Sequence, residues 1–257
     1  MIRELAENAN TYTRLGPRNE RIMDPRFVIA LSPGSGSHSA VVQRLRIAAD
    51  QVDQTVAEIR ALIAARERKV CAWEVADPAT PPDLVDRLLE LGCVPDPGEP
   101  FAVGMVLTEP PSDDAPGVTA RPVETLGEFE DAVRIACEAF GSSEAVTEES
   151  LANAATAFAA EGNGWRTYLA FVDGQSVARA TAGFTDHGVL LFGGATREDA
   201  RGRGAYRALV RARWDDAVKA GTPVLVTHAG AMSRPILTRL GFREVSRIHI
   251  LVDEFGS

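Results

Sequence analysis

The sequence predicts a mixed α/β fold built from two consecutive α/β halves, and three observations support this prediction. Apolar residues make up 45% and charged residues 25% of the 257 residues, as in an ordinary globular protein. Strand-like segments alternate with segments of helical periodicity along most of the chain. A stretch with three prolines, residues 108–117, cannot join a packed element, and it divides the chain into residues 1–112 and 117–257.

The second half has the clearer pattern. It predicts a strand, two helices, three strands, a helix, a strand, a short helix and a closing strand. A turn at Asp173 and Gly174 joins two strands as a hairpin, and a glycine follows each of the last two helices. The predicted elements cover residues 118–123, 126–140, about 147–160, 166–172, 175–184, 189–195, 204–219, 224–228, 233–240 and 242–252. This order is typical of a mixed α/β layer fold.

The first half predicts fewer elements. Residues up to about 38 show no pattern, so we expect them to be irregular, with a flexible loop at 32–37. The remainder predicts a strand, a long helix, a strand, a helix and a strand, at 40–47, 50–67, 69–75, 82–91 and 101–107. This β-α-β-α-β order matches the last five elements of the second half. We interpret the first half as a truncated duplicate, although β-α-β units are common enough for the match to be a coincidence.

Composition excludes several classes of function. The net charge of −9 argues against general nucleic-acid binding, which depends on cationic contacts to phosphates. No window approaches the roughly 18 apolar residues of a membrane span, and the first residues lack the apolar core of a signal peptide. We therefore expect a cytoplasmic protein. Cys71, Cys93 and Cys137 are too widely spaced for a disulfide framework or a cysteine metal site, so we expect no metal and three buried thiols.

One segment indicates chemistry. Six arginines lie between Arg197 and Arg213, and residues 201–206, Arg-Gly-Arg-Gly-Ala-Tyr, follow a predicted strand and open a predicted helix. A helix N-terminus presents unpaired amides and a positive dipole end, which favour a phosphate. Gly202 and Gly204 let the backbone approach an anion. The segment lacks the Gly-Lys-Ser/Thr of a Walker loop and the third glycine of a dinucleotide fingerprint, so it predicts a different phosphate or pyrophosphate site.

This segment resembles the acetyl-CoA-binding motif of the GNAT superfamily of acyltransferases, Arg/Gln-x-x-Gly-x-Gly/Ala, with Tyr206 in place of the last small residue. The element order of residues 117–253 and the Ile-Leu-Thr-Arg-Leu-Gly-Phe at 236–242 are similar to the same family. The resemblance implies an acetyl-CoA-dependent N-acetyltransferase, in which a primary amine of a small molecule or peptide attacks the thioester in a ternary complex. A degenerate GNAT-like half beside an active one would resemble mycothiol-synthase-like tandem proteins, and a homodimer remains open.

The resemblance also implies which residues hold the two substrates. The backbone of Gly194, Ala195 and Thr196 would pair with the pantetheine arm, and the acyl carbonyl would lie where the strands at 189–195 and 224–228 splay apart. Three aromatic side chains would line the acceptor side. They are Phe140, Trp165 and Tyr168. Six consecutive residues would hold the pyrophosphate through their amides, namely Arg201, Gly202, Arg203, Gly204, Ala205 and Tyr206.

Acid and base are harder to assign. His228 ends a strand beside the expected acyl site, and a histidine can transfer protons near neutral pH, so His228 is our candidate base, with a purely structural role as the alternative. We expect the other candidate bases, Glu198, Asp199 and His187, to face solvent, and we assign no role to His38.

The acid tyrosine of the family falls on Leu237, which cannot donate a proton. Ser233, on the same short helix, is our candidate for a catalytic and CoA-contacting hydroxyl, or else it caps the helix. The missing tyrosine leaves a second function open, that of a catalytically inactive CoA-binding sensor or interaction protein of the same fold.

Overall fold

The computed structural model describes residues 1–16, 18–34, 36–112 and 115–255, and within them the chain is a mixed α/β protein, as predicted. The helices are α1 Ile2–Glu7, α2 Ala9–Tyr12, α3 Val52–Ala64, α4 Leu84–Glu90, α5 Leu126–Ala139, α6 Glu144–Ala152, α7 Ala154–Ala159, α8 Ala205–Lys219 and α9 Arg234–Arg239. The strands are β1 Glu20–Met23, β2 Val28–Leu31, β3 Ala40–Gln43, β4 Val70–Ala76, β5 Val94–Pro95, β6 Phe101–Leu107, β7 Val118–Pro122, β8 Trp165–Val172, β9 Gln175–Thr185, β10 Gly188–Thr196, β11 Leu225–Ala229 and β12 Arg243–Glu254.

The strands of the described residues join in a single sheet. Its order is β1-β2-β3-β4-β12-β6-β11-β10-β9-β8-β7, and β5 pairs with β12 beside this path. Two neighbouring pairs are parallel, β3 with β4 in the first half and β10 with β11 in the second. Each parallel pair is joined by a crossover helix, as parallel strands require. The matching parallel pairs fit the interpretation of the first half as a truncated duplicate.

The two halves exchange strands at the centre of this sheet. β6 belongs to the first half, yet it pairs with β11 and β12 of the second. β12 is the last strand of the second half, yet it also pairs with β4 of the first, from Ile248 opposite Ala76 to Glu254 opposite Val70. The proline-rich stretch therefore separates the halves along the chain, while the hydrogen-bonded sheet runs through both.

Helices cover the sheet with apolar stripes. In the second half, α8 buries Leu209, Val210 and Trp214 against β8, β9 and β10. In the first half, α3 carries apolar residues at helical spacing from Val52 to Ile63, and these pack on Trp73 and its neighbours. The cysteines are free and buried, as expected. Among the described residues, no helix has the length and apolarity needed to cross a bilayer.

The first 38 residues are more ordered than we expected. They contain α1, α2, β1 and β2, and α1 packs Leu5 and Ala6 against Val106 and Val226 at the centre of the sheet. A side chain at Gly104 would not fit below this helix, since its Cβ would lie 2.6 Å from the carbonyl oxygen of Ala6. These short elements depend on packing with distant strands, so their local sequence shows little periodicity.

Three predicted boundaries also need correction. The helix expected at 147–160 is two helices, and α6 begins at the Ser143 N-cap, whose hydroxyl accepts from the amide of Val146. The strand expected at 40–47 ends at Gln43, because the next residue, Arg44, has a φ of +55° that no strand accommodates. The helix expected at 50–67 spans Val52–Ala64 after a 3₁₀ turn.

Candidate functional site

The site begins where β10 and β11 separate. These parallel strands pair only at Val189 with Leu225 and at Leu190 with Val226, although β10 continues to Thr196 and β11 to Ala229. On its other edge, β10 has a bulge between Phe192 and Ala195 in its pairing with β9. Beyond Leu190, the exposed residues Gly193 and Gly194 therefore lie beside a gap between the two strands, as the family resemblance implied for this pair.

The glycine loop lies between the end of β10 and the start of α8. A 3₁₀ turn at Glu198–Ala200 leads into Arg201, and Gly204 is the N-cap of α8. Gly202 and Gly204 have φ values of +79° and +92°, a region that side-chain-bearing residues rarely adopt. A Cβ on Gly202 would meet nothing within 4 Å. The turn therefore brings open backbone to a helix N-terminus whose first-turn amides have no acceptor within the helix.

Arginine side chains surround this loop. Nη2 of Arg203 lies 2.8 Å from Oδ2 of Asp173 in the hairpin turn, and both side chains are exposed. Nε of Arg197 lies 3.9 Å from Oε2 of Glu138 at the end of α5. Exposed ion pairs of this kind contribute little to stability, at most ~1 kcal/mol. An anionic ligand could displace either carboxylate at small cost.

Tyr206 occupies the space beside the separated strand. Its ring lies against Gly194, where a Cβ would come within 2.7 Å of Cε2 of the tyrosine. Burial raises the pKa of the Tyr206 hydroxyl, while the adjacent Arg213 acts in the opposite direction. The large residue at the small-residue position of the motif is thus accommodated because β10 has a glycine opposite it.

Four predicted residues from separate parts of the sequence line one cavity of about 420 Å³ with Gly194. They are Phe140, Tyr206, His228 and Ser233. The first half lines the same cavity through Ala9, Asn10, His38, Val41 and Glu74. The structure thus brings the gap between β10 and β11, the start of α8 and the candidate base together, and it adds one wall from the first half.

His228 has a carboxylate neighbour that the sequence did not reveal. Its Nδ1 lies 3.9 Å from Oε2 of Glu74, and the two side chains are 20% and 10% exposed. His228 Nε2 and Glu74 Oε2 are both buried with no hydrogen-bond partner among the described residues. A buried carboxylate without a partner costs free energy, so the pair is suited to hold a positive charge at the imidazole.

The short helix α9 places Ser233 at the same cavity. The Ser233 hydroxyl does not cap the helix, since it forms no hydrogen bond to a first-turn amide and its Oγ lies 3.5 Å from the carbonyl oxygen of Gly230. The alternative role as a cap is therefore not realised. Leu237, on the same helix, is 1% exposed and packs in the core.

The two remaining aromatic candidates lie on opposite faces of β8. Trp165 lines a second cavity, its indole donates to the carbonyl oxygen of Arg14 at 2.6 Å, and its ring contacts Phe192. Tyr168 is fully buried under α8, and its hydroxyl donates to Asp216 at 2.8 Å. Burial raises the pKa of Tyr168, and Asp216 adds to this effect. Tyr168 is thus a core residue, and its position does not fit the predicted place in an acceptor pocket.

The other candidate bases lie elsewhere. Glu198 and Asp199 are exposed in the 3₁₀ turn, and His187 is exposed in the turn before β10. His38, to which we gave no role, lies at the cavity with its Nε2 2.9 Å from Asp96 Oδ2. Its loop position gave no indication of this, because the contact depends on how the first half folds. The structure contains no cluster of metal-ligating side chains among the described residues.

Comparisons with known proteins address the fold. No protein-family model matches the sequence, and no curated protein matches it. Among solved structures, a GCN5-related N-acetyltransferase from Kribbella flavida is similar, with a TM-score of 0.71, 20% identity, and coverage of 93% of this chain and 91% of that one. A tandem GNAT protein from the clavulanic acid biosynthesis pathway has a TM-score of 0.64 and 17% identity, with coverage of 100% and 94%.

A third structure extends the same result. A GCN5-related N-acetyltransferase from Sphaerobacter thermophilus has a TM-score of 0.62 and 20% identity, with coverage of 90% of this chain and 82% of that one. Each of these similarities spans both halves of the chain, and one of the proteins is itself a tandem. The chain therefore has the fold of the GCN5-related N-acetyltransferase superfamily, in an arrangement that includes both halves.

Proposed function

We propose that the protein transfers an acetyl group from acetyl-CoA to a primary amine of a small molecule or peptide. The single observation that carries this proposal is the shared cavity, in which His228 lies beside the gap between β10 and β11. The fold supports acyl transfer in general, since the structural neighbours are N-acetyltransferases. The acetyl group, the acceptor and the residue roles below are parts of the proposal.

The residues present fit acyl-CoA at two places. The N-terminus of α8, with the open backbone at Gly202 and cationic side chains nearby, suits a pyrophosphate. The β10 backbone at Gly194, Ala195 and Thr196 continues beyond its pairing with β11, so its amide and carbonyl groups on that edge are available to a pantetheine arm. Acyl-CoA would supply an acyl group activated as a thioester.

The chain's own contribution would be positioning and proton transfer. In the reaction a carbon–nitrogen bond forms, the carbon–sulfur bond breaks and the amine loses one proton. His228 would accept that proton at Nε2, the ring nitrogen that has no described partner. Glu74 would stabilise the resulting imidazolium through its carboxylate at 3.9 Å. The Ser233 hydroxyl lies at the same cavity, and we assign it contact with CoA and the leaving sulfur.

A first experiment tests the cofactor site. Acetyl-CoA is titrated calorimetrically into the wild type and into Gly204→Trp, which places an indole at the N-cap of α8. We expect micromolar binding by the wild type and at least a tenfold loss in the variant. Gly127→Trp is the matched control, because Gly127 is exposed on α5 and its Cβ would meet only ordinary contacts.

A second variant keeps the test valid if Gly204→Trp misfolds, because the positive φ of Gly204 would strain any side chain placed there. Arg201→Glu changes an exposed side chain beside the loop, and we expect weaker acetyl-CoA binding and an unchanged melting temperature. An amine panel then separates the two functions. Binding together with turnover supports the acetyltransferase, and wild type that does not bind acetyl-CoA would refute it.

The alternative function is CoA binding without catalysis. It is favoured by Leu237, which occupies the position of the family's proton-donating tyrosine, has no proton to donate and is buried in the core. Micromolar binding of acetyl-CoA with no turnover across a broad amine panel would support this alternative. Ordinary enzymatic turnover with any amine would eliminate it.

A further inference from the structure

A second cavity, of about 330 Å³, lies next to the bulge of β10. Its walls come from β8, β9, α5, α7 and the segment before β1. Two aromatic rings, Phe129 and Trp165, line it, and Trp165 contacts Phe192, which lines the first cavity. The two cavities therefore adjoin at the bulge, on the side where the acceptor amine would approach.

One cation in this cavity has only neutral hydrogen-bond acceptors among the described residues. Arg179 donates from Nη1 to the carbonyl oxygen of Gly193 and from Nη2 to Oγ1 of Thr181, both at 2.8 Å. Both acceptors are neutral, and its Nε is buried without a partner among the described residues. Burial lowers the pKa of Arg179 to about 10, so the guanidinium keeps its charge at neutral pH. The charge therefore has no directly hydrogen-bonded acid among the described residues, although the nearby Glu161 carboxylate favours it electrostatically.

The nearby acid, Glu161, makes its hydrogen bonds to another residue. Glu161 lines the same cavity, but its two carboxylate oxygens accept from the amide and the hydroxyl of Thr167, at 2.7 and 2.8 Å. Arg18 also lines the cavity. The described lining therefore carries two guanidinium groups against one carboxylate, an excess of one positive charge that favours an anionic ligand.

The position of Arg179 limits where that anion lies. Its bond to Gly193 places the guanidinium at the bulge of β10, the strand whose other edge borders the gap expected to hold the acyl carbonyl. In an α-amino acid the carboxylate and the amine share one carbon. A carboxylate paired with Arg179 would thus leave the amine beside the bulge, and the side chain could lie among the aromatic rings of the cavity.

We propose that the acceptor is an α-amino acid with a free carboxylate and an apolar side chain, and that Arg179 pairs with this carboxylate. This inference rests on the proposed function, and it narrows the acceptor from any primary amine to the amine of a free α-amino acid. A guanidinium pairs a carboxylate through directional, charge-assisted hydrogen bonds. A site built around such a pair discriminates strongly against an analogue that lacks the charge.

The test compares acids with their amides. Turnover is measured with L-phenylalanine and L-phenylalaninamide, and with L-leucine and L-leucinamide, for the wild type and Arg179→Gln. We expect Arg179→Gln to lower kcat/KM at least tenfold for the acids and less than twofold for the amides. An amino acid and its amide differ in the basicity of their amines. That difference cancels because each compound is compared between the wild type and Arg179→Gln. Arg134→Gln is the control, because Arg134 is exposed on α5 and pairs with the neighbouring surface acids Glu130 and Asp131.

Binding supplies a readout that needs no acyl-CoA. N-acetyl-L-phenylalanine and its amide are titrated into each variant, and Arg179→Lys, which keeps a positive charge, should retain part of the preference for the acid. Equal losses on acids and amides, or no acid preference in wild-type binding, would overturn the inference. The proposed function fails separately if no amine is acetylated, and in that case the binding comparison still decides whether Arg179 selects a carboxylate.

Discussion

Glu74 and His228 come from different halves of the chain, and their meeting is the most consequential contact of individual residues. Glu74 is 8% exposed, and its Oε2 lies 3.9 Å from Nδ1 of the His228 imidazole. A carboxylate so poorly hydrated stabilises an imidazolium more effectively than it would in water. If His228 takes a proton from the amine, Glu74 lowers the energy of the charged product without touching the substrate.

The prediction for this pair concerns Glu74→Gln, which keeps the size of the side chain and removes its charge. We expect kcat to fall about 10- to 100-fold, less than the roughly 10²- to 10⁴-fold of a complete acid–base contribution, because His228 itself remains in place. KM for acetyl-CoA should change less than twofold, because Glu74 is not among the residues proposed to hold CoA. Glu74→Asp should recover part of the lost kcat.

The control for this prediction is Glu90→Gln, an exposed residue at the end of α4. Equal kcat and an equal pH–rate profile for wild type and Glu74→Gln would show that the carboxylate has no part in proton transfer. A loss of kcat that Glu74→Asp fails to reduce, accompanied by a lower melting temperature, would indicate a structural role.

Individual residues also show what sequence could and could not predict. Four of the predicted side chains meet in one cavity because each lies next to a recognisable element end. Trp165 and Tyr168 are three residues apart on one strand, so alternation places them on opposite faces, and both could not line the same pocket. Glu74 was not predictable, because its neighbourhood depends on β12 and β6, which separate β4 from β11.

At the scale of elements, the helix α1 is the least predictable part of the fold. It has only six residues, too few to be stable alone, and its apolar side chains pack mainly against strands from distant parts of the sequence. Its position depends on Gly104 of β6, where the backbone of the helix comes close to the sheet. By contrast, α5 was predicted within one residue, because its own periodicity and the Thr125 N-cap define it.

The prediction for α1 compares two glycine substitutions. Gly104→Ala puts a Cβ 2.6 Å from the Ala6 carbonyl oxygen, so α1 must shift, and we expect a loss of ~1–3 kcal/mol in the free energy of unfolding, as for other overpacked sites. Gly127→Ala, in the exposed first turn of α5, should be neutral or stabilising by up to ~1 kcal/mol.

Urea denaturation measures both free energies, and amide hydrogen exchange of residues 1–12 locates the effect. Exchange should accelerate in Gly104→Ala and stay unchanged in Gly127→Ala. Equal stabilities of the two variants would contradict close packing between α1 and β6.

At the scale of the whole molecule, the division of the chain and the division of the sheet differ. The sequence predicted two α/β halves on either side of residues 108–117, and the parallel pairs β3–β4 and β10–β11 follow that division. The exchange of β6 and β12 could not be predicted, because strand pairing across 100 residues or more leaves no local pattern. That exchange is what brings Glu74 to the cavity of the second half.

The strand exchange leads to a prediction about the isolated halves. A fragment of residues 113–257 lacks β6, so β11 and β12 lose the strand that lies between them and their apolar faces lose Met105 and Leu107. We expect this fragment to aggregate or to lack a cooperative unfolding transition, because unpaired central strands expose both backbone and core.

Co-expression with residues 1–112 should restore a soluble complex that binds acetyl-CoA like the intact chain. Circular dichroism, light scattering and calorimetry measure these outcomes. A monomeric 113–257 fragment that unfolds cooperatively and binds acetyl-CoA with unchanged affinity would mean that the second half does not need β6, and that the exchanged strands are dispensable for its site.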